Sequence, residues 1–97
     1  MQLLTFETFA SRANETFVLE LGASSIDMTL SQVDKLNSGP YPGMRREPFR
    51  LLFKCAALTI LPQRNYAFRN AVLGRLSIFI VPVARERDGI VYEAVFN

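Results

Sequence analysis

Arg45, Arg46, Arg50 and Lys54 form the densest basic cluster in the chain, and Phe49 and Phe53 stand among them in the stretch "MRREPFRLLFKC", residues 44–55. Cations that neutralise phosphates beside aromatic rings that stack on bases are what a single-stranded nucleic-acid groove requires. The same stretch also alternates. Phe49, Leu51, Phe53 and Cys55 fall on one face and Arg50, Leu52 and Lys54 on the other, which is the period of a half-buried β-strand. Stacking needs rings and charges on the same face, so the alternation makes the aromatics core and the charges a solvated edge. Arg64, Arg69 and Arg75 recur further along, and a basic strip running across several strands keeps a single-stranded nucleic-acid-binding barrel as the alternative reading.

Other chemistry has fewer candidates. The chain contains no histidine, so the usual general base and transition-metal ligand are missing, and its one cysteine, Cys55, can form no internal disulfide. The serines of "GASS" and "LSQ" have no histidine to activate them, and no pair of carboxylates sits two residues apart on one strand. Neither "GASS" nor "LGRLS" has the glycine spacing and lysine of a phosphate loop. The expectation is a protein that is not an enzyme, with no cofactor and no metal, in which Cys55 is a small buried apolar residue.

Composition sets the frame for these residues. With 97 residues, of which 49% are hydrophobic and 21% charged, the chain reads as a single domain, residues 1–97, with enough apolar material for a core. A net charge of +2 is too balanced for the long-range field of a dedicated DNA binder. "MQLL" lacks a basic leader and the apolar run Ile78–Ala84 is interrupted by Pro82, so neither a signal peptide nor a membrane span is expected and the default location is cytoplasmic.

The elements that must position any site read as follows. Residues 4–14 suggest a short helix capped by Thr5, with Glu7 in its first turn and Leu4 and Phe9 in the positions of a hydrophobic staple. From residue 16 onward the period is two. Phe17, Leu19 and Leu21 lead through "GASS" to Ile26, Met28 and Leu30, a β-hairpin, and a bulge near Ser31 and Gln32 would return Val33 to the inner face. "NSGPYPG", residues 37–43, is dense in turn formers and reads as an exposed loop. A strand over residues 47–54, a short one carrying Tyr66 and Phe68, the turn "NAVLG", the strand "RLSIFIVPV", the turn "RERDG" and the strand "IVYEAVF" complete the chain. The fold class is mainly β: a small antiparallel barrel or sandwich of about six strands with one short N-terminal helix.

The last two strands carry an excess of apolar side chains. Leu76, Ile78, Ile80 and Pro82 make one face, but Phe79, Val81 and Val83 make the other apolar too, and Val91 and Val95 repeat this around Glu93 in the final strand. A strand apolar on both faces must be covered on both. The N-terminal helix can cover one patch through Phe6 and Phe9, and what it leaves exposed marks a contact surface for a protein partner or a second copy. The candidate interface is therefore Phe79, Val81, Val83, Val91 and Val95.

The motifs "EPFRLLFK", "LPQRNYAFRNAVLG" and "LSIFIVPVARERDGIVYEAVFN", preceded by "LTFETFASRANETFVLEL", together resemble a family of small bacterial proteins that carries only a domain-of-unknown-function label. The resemblance spans nearly the whole chain. It implies no activity and no functional residues. Members of the family tend to sit beside genes for phage-tail or tail-collar-like proteins, which implies, by analogy, a structural or chaperone-like accessory role in such an assembly. One departure is "NAV", residues 70–72, where many relatives place a histidine and a proline before "LG".

Overall fold

The computed structural model describes residues 4–36 and 47–97. It contains one helix, α1 (Phe6–Ala10), and six strands: β1 (Thr16–Leu21), β2 (Ser24–Lys35), β3 (Phe49–Cys55), β4 (Arg64–Asn70), β5 (Gly74–Glu86) and β6 (Gly89–Phe96). All neighbours are antiparallel, and the sheet closes in the order β1-β2-β3-β6-β5-β4. The barrel is chosen over the sandwich by two long strands that each serve two neighbours. β2 pairs with β1 up to Thr29 and with β3 from Thr29 onward, and β5 pairs with β4 up to Ile80 and with β6 from Val81. Each bends at a register shift, at Ser31 and at Val83, because an extra residue in one strand adds local twist and turns a corner.

Alternation fills the barrel. Phe17, Leu19, Leu30, Phe49, Leu51, Phe53, Phe68, Ile78, Ile80 and Tyr92 are fully buried inside it. The bulge at Ser31 works as the sequence suggests: Val33 pairs with Leu51 and packs on the core, and the Ser31 hydroxyl is satisfied by the Leu52 carbonyl at 3.1 Å. Gly22, with φ 73°, supplies the left-handed conformation that the two-residue turn between β1 and β2 needs at its first position.

The helix is shorter than the sequence suggests, ending at Ala10 rather than continuing to residue 14. The reason is competition for backbone groups. Asn14 adopts φ 72° and its N–H bonds the Leu30 carbonyl at 2.7 Å, while the Leu30 N–H bonds the Glu15 carbonyl at 3.0 Å, so β2 captures this segment before another helical turn can form. Thr5 is the N-cap as expected; its N–H donates to the Thr8 hydroxyl at 3.1 Å. So short a helix has little stability of its own and is held by its side chains. Nor does it cover the outer face of the last two strands. It closes one end of the barrel, where fully buried Phe9 lies 5.9 Å from the rings of both Phe49 and Phe96 and 6.2 Å from Phe17. Full burial of one phenylalanine contributes about 1.5–3 kcal/mol towards holding this segment on the barrel.

β3 begins at Phe49 and ends at Cys55, two residues later at its start and one at its end than the sequence pattern suggests, with Pro48 just before it. The loop read over residues 37–43 lies outside the described residues.

Candidate functional site

Cross-strand register assigns every outward side chain of the last two strands. Val81 opposes Glu93 and Ala84 opposes Val91 on the outside, while Pro82 opposes Tyr92 on the inside. Val83 is the residue left over at the bulge. With no partner across the ladder its side chain stands out, 49% exposed. Phe79, two residues before Val81, is 47% exposed, and Val95, two residues beyond Glu93 on the adjacent strand, is 48% exposed. These three and half-buried Val81 make an apolar strip on the outside of the barrel, with Glu93 standing between Val81 and Leu52.

Val91 does not belong to that exposed strip. It faces outward, between Lys54 on β3 and Ala84 on β5, yet only 7% of it is accessible. An ion pair spans β6 beside it: Lys54 Nζ reaches Glu86 Oε1 at 3.6 Å, from the strand on one side of β6 to the strand on the other. Lys54 is Val91's cross-strand partner on β3, so its aliphatic stem is placed to supply part of the cover.

Of the basic residues singled out from the sequence, Arg50, Lys54, Arg69 and Arg75 are ion-paired. Arg50 donates from Nε to Asp34 at 3.1 Å and from Nη1 to Glu93 at 3.3 Å, linking β2, β3 and β6 across the outer surface. Its hydrogen bonds to Asp34 and then Glu93 raise its pKa beyond the ordinary guanidinium value. Arg69 and Arg75 share the two oxygens of Glu20, at 3.3 and 3.1 Å, and so brace β1 against β4 and β5 where the β1–β4 ladder is only three pairs long. Arg45 and Arg46 lie outside the described residues. The rings of the same stretch are where the alternation put them: Phe49 and Phe53 are fully buried and Cys55 is 2% exposed.

Two features have no signal in the sequence pattern. Asn70, 3% exposed, is saturated with hydrogen bonds. Its Oδ1 accepts from the N–H groups of Val72 and Leu73, both at 2.9 Å, and its Nδ2 donates to Glu15 Oε1 at 3.2 Å and the Thr16 carbonyl at 3.1 Å. It thereby shapes the β4–β5 turn and fastens it to the start of β1. At the opposite end of the barrel, Tyr92 and Tyr66 hold the segment between β3 and β4. The Leu61 N–H donates to the Tyr92 hydroxyl at 3.1 Å, and the Tyr66 hydroxyl donates to the Pro62 carbonyl at 2.7 Å. Burial pushes the Tyr92 pKa above its ordinary value, opposed by the Leu61 hydrogen bond.

A depression of about 170 Å³ lies beside the β5–β6 hairpin, where Lys54, Cys55, Glu86 and Asp88 meet. It is smaller than the usual small-ligand pocket, about 300–1,000 Å³, and the Lys54–Glu86 ion pair occupies its edge. Among the described residues no group of three potential metal ligands converges, and no helix is long and apolar enough to cross a membrane.

Closed strand order, a side-chain-filled interior and an apolar outer strip define a small six-stranded antiparallel β-barrel domain. More particularly, the chain belongs to the family described as "Domain of unknown function (DUF6916)", whose model matches residues 4–96. No curated protein and no solved structure matches it.

Proposed function

We propose that this chain is a non-enzymatic interaction module that docks a protein on the outer face of β5 and β6, as an accessory part of a phage-tail-like assembly would. The observation that carries the reading is the exposure of Phe79, Val83 and Val95 on two adjacent strands whose inward residues are already buried. Exposed apolar side chains gathered in one strip favour a contact surface over a solvated face. Arg50 and Lys54, already bound to carboxylates, offer little free charge to phosphates, which favours a protein over a nucleic acid as the partner. The tail-like setting rests on the resemblance of the sequence motifs.

The test is substitution on the exposed positions. Val83→Glu combined with Val95→Glu should abolish association while circular dichroism and the urea midpoint stay close to those of the parent. Association is read by light scattering of the chain alone and by co-purification with proteins of the tail-like assembly. A parent chain that is monomeric and retains none of those proteins would refute the reading.

A further inference from the structure

The barrel is closed, but β2 reaches further at one end than the neighbour it shares with β6. β3 pairs with β2 only from Thr29 onward, and beyond Cys55 the chain leaves the sheet. Residues 56–63 cross the end of the barrel, where the Leu61 N–H bonds Tyr92 of β6 and the Pro62 carbonyl accepts from Tyr66 of β4. The stretch Ser24–Met28 is therefore paired with β1 on one side and, among the described residues, with no backbone on the other.

The hydrogen bonds at Leu30 fix which groups that leaves. Its N–H donates to Glu15 and its carbonyl accepts from Asn14, so both point to the β1 side. In an antiparallel ladder this direction repeats every second residue. Ser24, Ile26 and Met28 thus face β1, and the N–H and carbonyl groups of Ser25 and Asp27 face the position that β3 has vacated. Both residues are exposed, and neither a proline nor a register shift blunts the edge. The vacated position is one strand wide at its inner end, because β2 and β6 both flank β3 and neighbouring strands lie about 4.8 Å apart. The depression of about 170 Å³ lies there, with Thr29 on the β2 side, Cys55 and Ala56 at its base and Gly89 on the β6 side.

We infer that this edge is a second docking site, which takes an extended segment of a partner protein as an added strand beside β2, with a lysine or arginine next to Asp27. It is independent of the apolar face of β5 and β6. Donors and acceptors repeated at strand spacing are matched by another extended backbone, whose main-chain bonds supply affinity while alternate side chains supply selectivity. Asp27 is the selective position. It lies on the outer face opposite Val18 and is in no ion pair among the described residues, so a cation on the added strand would meet it at cross-strand distance. A second copy pairing edge to edge across a two-fold axis is the other candidate. It would bring the two Asp27 side chains near one another, and a gap one strand wide has no room for the β1 that stands behind the copy's β2.

The experiment selects a random twelve-residue peptide library on the whole immobilised chain and follows a selected peptide by fluorescence anisotropy and by amide hydrogen exchange. Ser25→Pro removes an N–H that β1 does not use and sets a ring where the peptide must approach, so binding should weaken at least about tenfold. Asp27→Asn should weaken it a few-fold, and selected sequences should be enriched in Lys or Arg. The Ser25 and Asp27 amides, fast to exchange in the free chain, should be slowed by the peptide. Where Ser25→Pro alters the circular dichroism, the parent chain is tested with the peptide N-methylated at alternate residues: one of the two alternations should abolish binding and the other spare it. Equal binding by parent and Ser25→Pro, with the exchange of Ser25 and Asp27 unchanged, overturns the inference; if that binding is lost in Val83→Glu, the apolar face remains as the docking surface. A library from which nothing is enriched also overturns it. A parent chain that dimerises, with the dimer lost in Ser25→Pro, overturns the partner segment in favour of a second copy. Peptides without basic residues, indifferent to Asp27→Asn, overturn the role of Asp27.

Discussion

Removing the Asn70 side chain should be among the most damaging single changes outside the apolar core. Asn70→Ala deletes hydrogen bonds to Val72 N–H, Leu73 N–H, the Thr16 carbonyl and Glu15, around a site that is 3% exposed. A lost hydrogen bond costs about 0.5–1.5 kcal/mol net, and more where the orphaned partner stays buried. Val72 is itself exposed and its N–H can turn to water, so the sum is discounted to about 2–4 kcal/mol. Asn70→Asp separates the donor and acceptor roles. It keeps both turn bonds but cannot donate to the Thr16 carbonyl, and it sets a second carboxylate against Glu15 Oε1. Repulsion from Glu15 and burial disfavour its ionised form while the two turn N–H groups favour it, and the expected outcome is that the first two dominate and place its folded pKa above the unfolded value near 3.9. The folded state then binds the proton more tightly. Relative to the parent, Asn70→Asp is least destabilised below about pH 4, and the gap widens as pH rises through the folded pKa. Urea unfolding of parent, Asn70→Ala and Asn70→Asp at pH 7 and pH 4.5 reads all of this. The Asp variant should be well below the parent at pH 7 and regain part of the gap at pH 4.5. An Ala variant within about 0.5 kcal/mol of the parent, or an Asp variant whose gap does not narrow in acid, would refute the role given to this side chain.

Two further outcomes follow from single contacts. A Cβ at position 89 would fall inside the contact distance of the Cys55 carbonyl oxygen, a backbone atom that cannot move aside, so Gly89→Ala should cost more than the ~1 kcal/mol typical of a point mutation, read as a drop in thermal midpoint. Tyr92 holds its proton more tightly in the folded state. Its contribution is therefore fully present below the unfolded tyrosine pKa of about 10 and is lost as pH rises through the higher folded value. Thermal midpoints from pH 8 to pH 11 should fall less steeply in Tyr92→Phe than in the parent, the variant starting lower by about 1 kcal/mol because the Leu61 N–H loses its acceptor.

Side-chain period alone was enough to place most of the core. Phe49, Leu51, Phe53 and Cys55 are buried and Arg50 and Lys54 lie outside because a strand's alternation is set by backbone geometry, whatever the strand pairs with. The need for a bulge near Ser31 was legible for the same reason, since three residues separate Leu30 from Val33 where two would keep the face. The antiparallel all-β class followed from connections too short to hold a crossover helix.

Other features depend on groups distant in sequence and carry no local pattern. The helix stops at Ala10 because Leu30, twenty residues on, takes the hydrogen bonds of Asn14 and Glu15. Val91 reads as exposed in any count of alternating residues and is buried between its cross-strand neighbours Lys54 and Ala84. Asn70 looks like an ordinary turn residue until the closure of β1 on β4 brings Glu15 and Thr16 to its amide. The apolar excess of the last two strands was written in the sequence, but which of those side chains stay uncovered was decided by the bulge at Val83 and by the ion pairs around it. The sequence by itself determined which residues face which way along each strand, because that depends only on neighbours in the chain. The closed barrel decided which outward residues stay exposed, because cover comes from strands that the chain brings together only when it folds.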